Sequence, residues 1–447
     1  VEAFAKAYCD FINNGKTERE CVAYGEKLAK AHGFEDLNAV IRSGRKLEAG
    51  ARVYVNWMGK SFMLFVLGAK PLEEGMNILG AHIDSPRIDV KQNPLYEDGD
   101  LAYLDTHYYG GIKKYQWVAM PLALHGVIFR KTGEKVIINI GEDENDPVFC
   151  ISDLLVHLAQ EQMTKNAKEV VEGEALNLIV GGRPLEGEEK DAVKANVLKL
   201  LDDKYGVEEE DFLSAELEIV PAGKARDMGF DRSMILGYGH DDRVCAYPSM
   251  MAVLDYEGTP DYTLCCIITD KEEIGSVGAT GMASHYLENT VAELYACTAD
   301  YCELAVRRCL RNSRMLSSDV TAGYDPNFAS AFEKKNSAFL GRGICFNKFT
   351  GSRGKSGSND ANPEFMASLR KIMDDAGVAF QTAELGRVDL GGGGTIAYLC
   401  AKYGMNVIDS GIAVLSMHAP YEIISKVDLY EGYRCYCAFL KGAKPVV

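Results

Sequence analysis

Residues 76–85 read MNILGAHIDS, an uncharged apolar run that stops on a histidine and an aspartate. A continuous run of this kind fits a strand buried on both faces better than a half-exposed one. The same ending recurs. TLCCIITDKEE brings Glu272 and Glu273 to the end of an apolar run, RMLSSD brings Asp319, and IAVLSMH brings His418. A related pair, Asp241 and Asp242, stands in GYGHDDRV just ahead of a helical pattern.

Working outward from these runs, helical patterns cover 1–14, 17–32, 243–256 and 276–287. Strand patterns cover 52–57, 61–67, 76–83, 262–268, 293–299, 314–317, 341–346, 406–409 and 413–417. Helix and strand alternate, which predicts an α/β fold with a mostly parallel sheet flanked by helices. In such sheets the carboxyl ends of the strands line one crevice, so residues far apart in sequence converge there.

The middle of the chain has a different texture. After Pro94 come tyrosine- and acid-rich turns, then short strands at 118–129 and 134–140 meeting at Lys131-Thr132-Gly133 as a hairpin. Segments such as GEEKDAVKAN follow. A length of 447 residues exceeds the size at which single cores stop growing. We therefore expect an inserted, smaller β-rich domain over 92–232, interrupting a main domain formed by 1–91 and 233–447.

Composition narrows the function classes. A hydrophobic share of 47% and a charged share of 25% are those of a globular protein. A formal charge of −17 disfavours nucleic acid and anionic membrane surfaces, leaving small molecules, peptides or metal cations as partners. No apolar run approaches the roughly 18 residues needed to span a bilayer. The first residues lack the basic-then-apolar order of a secretion signal. The thirteen cysteines are odd in number, and Cys265 and Cys266 sit in an apolar run, so reduced core thiols are expected. Cys435 and Cys437 read as core packing in the same way. Together these point to a cytoplasmic protein.

The strand-end residues form a mixed nitrogen and oxygen set without thiolate, which suits zinc, cobalt or manganese. Two divalent ions at close range need a shared carboxylate between them, and Asp241 is the candidate bridge. Glu272 and Glu273 are adjacent and cannot both face one ion. One is expected to ligate, and the other to take a proton from attacking water and pass it to the leaving amine. In His82-Ile83-Asp84 the outer two side chains share a strand face, so Asp84 is expected to accept the second imidazole N–H of His82. Taken singly, each residue has a plainer reading as a core histidine or a solvated acidic helix start. The remaining histidines, including His240, read as structural.

The motifs HIDSPR, GHDDRV, DKEEIGS, LSSDVTAGYDPNF and SMHAPYE, in this order, resemble the M18 aminopeptidases, the aspartyl aminopeptidase family, and its bacterial members in particular. The resemblance covers nearly the whole chain. It implies a metallopeptidase domain interrupted by a smaller oligomerisation or lid domain, a peptide substrate, and a homo-oligomer in the form of a tetrahedral dodecamer. It implies that His82, Asp241 and Asp319 hold one metal ion and that Asp241, Glu273 and His418 hold the other. Glu272 would then be the general base and Asp84 the orienting acid. It further implies a non-proline cis peptide between Asp241 and Asp242, beside the substrate.

Two loops are implied at the substrate. DLGGGGTIAY contributes Gly393, Gly394 and Thr395, whose small side chains let the backbone approach a ligand. FTGSRGKSGSND is not a phosphate loop, because Phe349 stands where that motif needs glycine. Its Arg353 and Lys355 are candidates for meeting a carbonyl or an acidic side chain. Ala322 and Asp153 stand where eukaryotic members carry histidines, which argues against a strict acidic preference. A dimetal deacylase of N-acyl amino acids and a non-catalytic assembly protein are the alternative readings.

Overall fold

The computed structural model describes residues 1–445, which divide into two compact units. The first comprises Val1–Asp84, Ala225–Met417 and the described residues from Glu422 onward; the second comprises Ser85–Lys224 and His418–Tyr421.

The first unit is built on a nine-stranded sheet. Its spatial order is Glu35–Asp36, Arg52–Trp57, Ser61–Val66, Thr263–Thr269, Met76–His82, Arg314–Ser318, Asn406–Gly411, Ile344–Asn347 and Phe380–Thr382. Five of the eight neighbouring pairs are parallel and three antiparallel, so the sheet is mixed, with parallel pairs in the majority. Part of the reason lies at 57–61, where Trp57 and Ser61 pair across a tight turn that only antiparallel strands can use. The centre remains parallel: Met76–His82 lies between Thr263–Thr269 and Arg314–Ser318 with all three running the same way.

These strands are apolar throughout because both faces are covered. Phe62, Leu64, Val66, Leu79, Ala81, Leu264, Cys266 and Ile268 point into one core with the helices Glu2–Asn14, His240–Leu254 and Lys426–Gly442. Their alternates Met63, Phe65, Met76, Ile78, Cys265 and Ile267 point into a second core with Tyr286–Thr298 and Glu303–Arg311. The two-residue period of the strand sends neighbours to opposite sides. Helix Glu18–Ala31 starts at a complete capping box, Thr17 with Glu20.

Several elements differ from the sequence expectation. Of the stretch 276–287, residues 276–285 are not helix, because Ser276, Gly275 and Gly278 all take positive φ and break it into turns. The helix instead runs Tyr286–Thr298 and includes the 293–298 stretch read as strand. Leu287, Val291 and Leu294 form its buried stripe at helical spacing. The run 341–346 begins as a turn, with the strand confined to Ile344–Asn347. Only Ala413 and Val414 of 413–417 are strand, and the 118–129 strand begins at Leu122.

The second unit carries a six-stranded antiparallel sheet in the order Lys135–Ile140, Leu122–Phe129, Ala215–Pro221, Arg87–Asp98, Leu101–Tyr109 and Leu178–Gly181. The register slips between Val90 and Leu95, where Pro94 has no N–H to give to the ladder. The hairpin at 130–134 forms as read, with Arg130 N–H donating to Glu134 O. No helix among the described residues is long and apolar enough to cross a membrane.

Candidate metal centre

The three parallel central strands bring their carboxyl ends to one edge of the sheet in the first unit. His82 is the last residue of its strand, Asp319 follows Ser318 directly, and Glu272 and Glu273 sit in a short turn three residues beyond Thr269. Asp241 enters from the first turn of His240–Leu254, which packs on the strand of His82. The Asp241–Asp242 peptide is cis, and both residues lie outside helical backbone angles.

These side chains crowd around one imidazole. His82 Nε2 lies 3.2 Å from Asp241 Oδ1, 3.8 Å from Asp319 Oδ1 and 3.9 Å from Glu272 Oε2. Ligand-type atoms of His82, Asp241 and Glu273 lie within 4.8 Å of one another, and so do those of His82, Glu272 and Asp319. His82 is 1% exposed and Asp241 3%. The His82 ring is turned by its other nitrogen: Nδ1 sits 3.0 Å from the Asp84 carbonyl oxygen. A carbonyl can only accept, so Nδ1 carries the hydrogen and Nε2 is the electron-pair donor.

Asp84 does more than orient the ring. Its two carboxylate oxygens accept the backbone N–H groups of Glu272 and Glu273, each at 3.1 Å. It therefore fixes the turn on which both glutamates stand, a role that spacing along one strand does not reveal. Asp242 is fully buried and its Oδ2 accepts the His82 backbone N–H at 3.3 Å. That bond ties the strand of His82 to the first turn of His240–Leu254.

The electrostatics are those of concentrated negative charge. Burial, then the Asp319 carboxylate, pushes Glu272 up to about 8. Burial and Asp319 also hold Asp242 well above the carboxylate range. Burial works to lower His82, but the carboxylates of Asp241, Asp319 and Asp84 outweigh it and raise the imidazole well above its ordinary value. His82 Nε2 is buried and makes no well-aligned hydrogen bond. A buried nitrogen lone pair ringed by carboxylate oxygens is repelled by them unless a proton or a cation lies between. A divalent cation meets this need, and the nitrogen and oxygen donors suit zinc or a similar ion.

The remaining expected residues have contacts of their own. His418 belongs to the second unit, where its Nδ1 lies 2.9 Å from the Gly111 carbonyl oxygen, the same ring-orienting pattern as in His82. Lys355 Nζ is 3.2 Å from Asp360 Oδ2 and sits over the Phe349 ring, whereas Arg353 is exposed. Gly393 O accepts from Gly351 N–H at 2.8 Å, which joins the two glycine-bearing loops. His240 is structural, as expected, with Nδ1 2.7 Å from the Tyr8 hydroxyl.

Sequence reading missed three supports. Glu422 Oε2 accepts the Asp241 N–H at 3.0 Å. Lys60, 7% exposed, lies 2.9 Å from Glu18 and 3.6 Å from Asp270, the residue that opens the glutamate turn. Asp409 is buried beneath the two loops, and burial pushes it up to about 7. The available signals were the acid ending SMHAPYE, the Asp of TDKEE, and the Asp closing NVID.

The family described as aminopeptidase I zinc metalloprotease (M18) matches residues 11–440. The chain is 58% identical over 443 residues to an M18 family aminopeptidase 1 of Clostridium acetobutylicum, covering 99% of this chain and 95% of that one. The crystal structure of an M18 aminopeptidase from Thermotoga maritima superposes with a TM-score of 0.94 at 43% identity, covering 99% and 96% of the two chains. That of aminopeptidase I from Clostridium acetobutylicum gives 0.90 at 57% identity, covering 96% and 93%. The chain belongs to the M18 family and is a metallo-aminopeptidase.

Proposed function

We propose that the carboxyl edge of the sheet binds two divalent ions, zinc first and cobalt or manganese as alternatives. His82, Asp241 and Asp319 would form one ligand set. Asp241, Glu273 and His418 would form the other, with His418 included through the family resemblance. When bound, such ions acidify water and polarise the scissile carbonyl. The observation that carries this reading is the buried His82 Nε2 among carboxylate oxygens of Asp241, Asp319 and Glu272.

Glu272 is the proton carrier. Its carboxylate accepts the proton of the attacking water and returns it to the amine that leaves. Asp84 keeps Glu272 at the edge by holding its N–H, and keeps Glu273 turned away from the same task. The peptide would run past Arg353, Lys355, Gly393, Gly394 and Thr395, with small residues allowing close backbone approach. Ala322 and Asp153 favour acidic or broad neutral N-terminal residues over a strict acidic choice.

The second unit serves in assembly and as a lid. Leu154, Leu155, Val156, Leu158 and Met163 are exposed along one of its segments, as residues that meet another subunit would be. A solved structure of the yeast mApe1 dodecamer has the same fold at 21% identity and a TM-score of 0.77. A tetrahedral dodecamer is the corresponding proposal here, and mass measurement in solution tests it; a monomer would rule it out. Thirteen free cysteines, nine of them buried, support a cytoplasmic location.

The test of the reaction is a metal-reconstituted panel of aminoacyl anilides beside their N-acetyl forms. The expected result is cleavage of the free-amine substrates, lost with chelator. Cleavage of only the blocked substrates would replace the reading with a deacylase.

A further inference from the structure

One buried carboxylate has no part in the proton transfer described above. Asp409, near the end of the strand Asn406–Gly411, is 1% exposed. Each of its oxygens receives a threonine hydroxyl: Thr395 Oγ1 donates to Oδ1 at 2.5 Å and Thr350 Oγ1 donates to Oδ2 at 3.4 Å. Thr350 opens one loop, and Thr395 closes the four-glycine stretch of the other.

The loops are docked backbone to backbone above this carboxylate. Gly351 N–H donates to Gly393 O at 2.8 Å. A Cβ at Gly392 would stand 2.3 Å from the Gly351 carbonyl oxygen, so a side chain there would prise the loops apart. The first loop closes on itself through bridges between Phe349 and Asp360 and between Ser352 and Ser356. Its base is tied down by Asn359 Nδ2, which donates to Val407 O at 2.8 Å. One strand thus secures the loop pair at Val407 and Asp409.

We propose that Asp409 is a positioning residue for peptide binding, holding the Thr350 and Thr395 loops together as one wall of the substrate site. The inference rests on the reading of these loops as substrate-facing. An ionised carboxylate is the one small side chain that presents two accepting oxygens and no donor, so it takes both hydroxyls at once. Asparagine can accept with only one end. A wall held in place before the peptide arrives spares the complex the entropy of ordering it. Loosening it therefore weakens binding while leaving the chemistry at Glu272 in place.

The experiment compares metal-loaded, full-length parent enzyme with Asp409→Asn, Thr395→Val and Thr395→Ser. Metal content, kcat and KM are measured with one aminoacyl anilide. For Asp409→Asn and Thr395→Val the expected result is a KM raised roughly tenfold or more, the loss of one charge-assisted hydrogen bond. Metal content should stay near that of the parent in both, kcat in Asp409→Asn should change far less than KM, and Thr395→Ser should recover most of the KM effect of Thr395→Val. Unchanged KM in both variants would overturn the proposal, as would a fall in metal content or kcat with KM intact. Should Asp409→Asn fail to fold, the valine and serine pair decides alone. A loaded parent that cleaves no aminoacyl anilide would overturn the functional reading itself, a result separable from any of these.

Discussion

His82 and Asp241 face one another across 3.2 Å, imidazole Nε2 to carboxylate Oδ1, where both side chains are almost completely screened from water. Such a pair, with Asp319 and Glu272 close by, is held most stably by a cation between the donors. Chelation should therefore abolish turnover and lower the melting temperature, and divalent ions should restore both. At a free ion concentration a hundredfold above Kd the gain is about 2.7 kcal/mol. Calorimetry with and without chelator measures it, and identical melting temperatures would count against a bound ion.

Glu272→Gln keeps the shape of the side chain and removes its basicity. We expect kcat to fall by roughly 10²–10⁴-fold with metal content unchanged. Steady-state kinetics beside elemental analysis decides. Full activity in the variant would show that another group moves the proton.

Asp84→Asn replaces one of two accepting oxygens with an NH₂ that must confront a backbone N–H of Glu272 or Glu273. Activity or metal affinity should drop by about 10–100-fold, the usual consequence of disturbing groups behind the ligands. The informative comparison is with Glu272→Gln, because Asp84→Asn should also loosen metal binding. Parent-like metal affinity and turnover would mean that the turn holds itself.

The raised carboxyls set a pH dependence for the metal-free protein. Glu272 titrates near 8 and Asp409 near 7 in the fold, against ordinary values of 4.5 and 3.8. A carboxyl whose folded pKa lies above its unfolded one binds its proton more tightly when folded. Its contribution to stability is complete below the unfolded value and disappears as pH rises through the folded one. Metal-free protein should thus lose stability between about pH 4 and pH 8. The gap between loaded and metal-free protein should widen over the same range. Urea titrations across this range provide the measurement, and a constant gap would contradict it.

Lys60 lies between the buried carboxylates of Glu18 and Asp270. Removing the ammonium in Lys60→Met takes from buried Glu18 its cation at 2.9 Å, whereas Asp270 keeps Lys271 at 3.0 Å, and breaking such a buried pair costs about 3–5 kcal/mol. Thermal denaturation reads this directly. A loss below 1 kcal/mol would show that the acids simply take up protons.

Much of the centre was legible because strand-end chemistry leaves a visible mark. An uncharged run such as MNILGA can be read as a covered strand, and the polar residue that ends it falls at the sheet edge by geometry alone. The cis peptide at Asp241–Asp242 was accessible only through the family motifs. What was not legible depends on folding in three dimensions. Nothing along the chain says that Asp84 reaches the N–H groups of residues 272 and 273, or that Asp242 turns inward beneath His82. The stretch 293–299 was misread because a short apolar run has the same texture in a strand and in a covered helix. Its stripe emerges only when Leu287 and Val291 are included.

The central trio of parallel strands has a consequence for the order of events during synthesis. Met76–His82, Thr263–Thr269 and Arg314–Ser318 become neighbours only after the ribosome has released all three, with the whole of Ser85–Lys224 made in between. The early hairpin of Arg52–Trp57 with Ser61–Val66 offers an ion no pair of ligands. Ion capture by this centre is then a late event that dates the closure of the sheet.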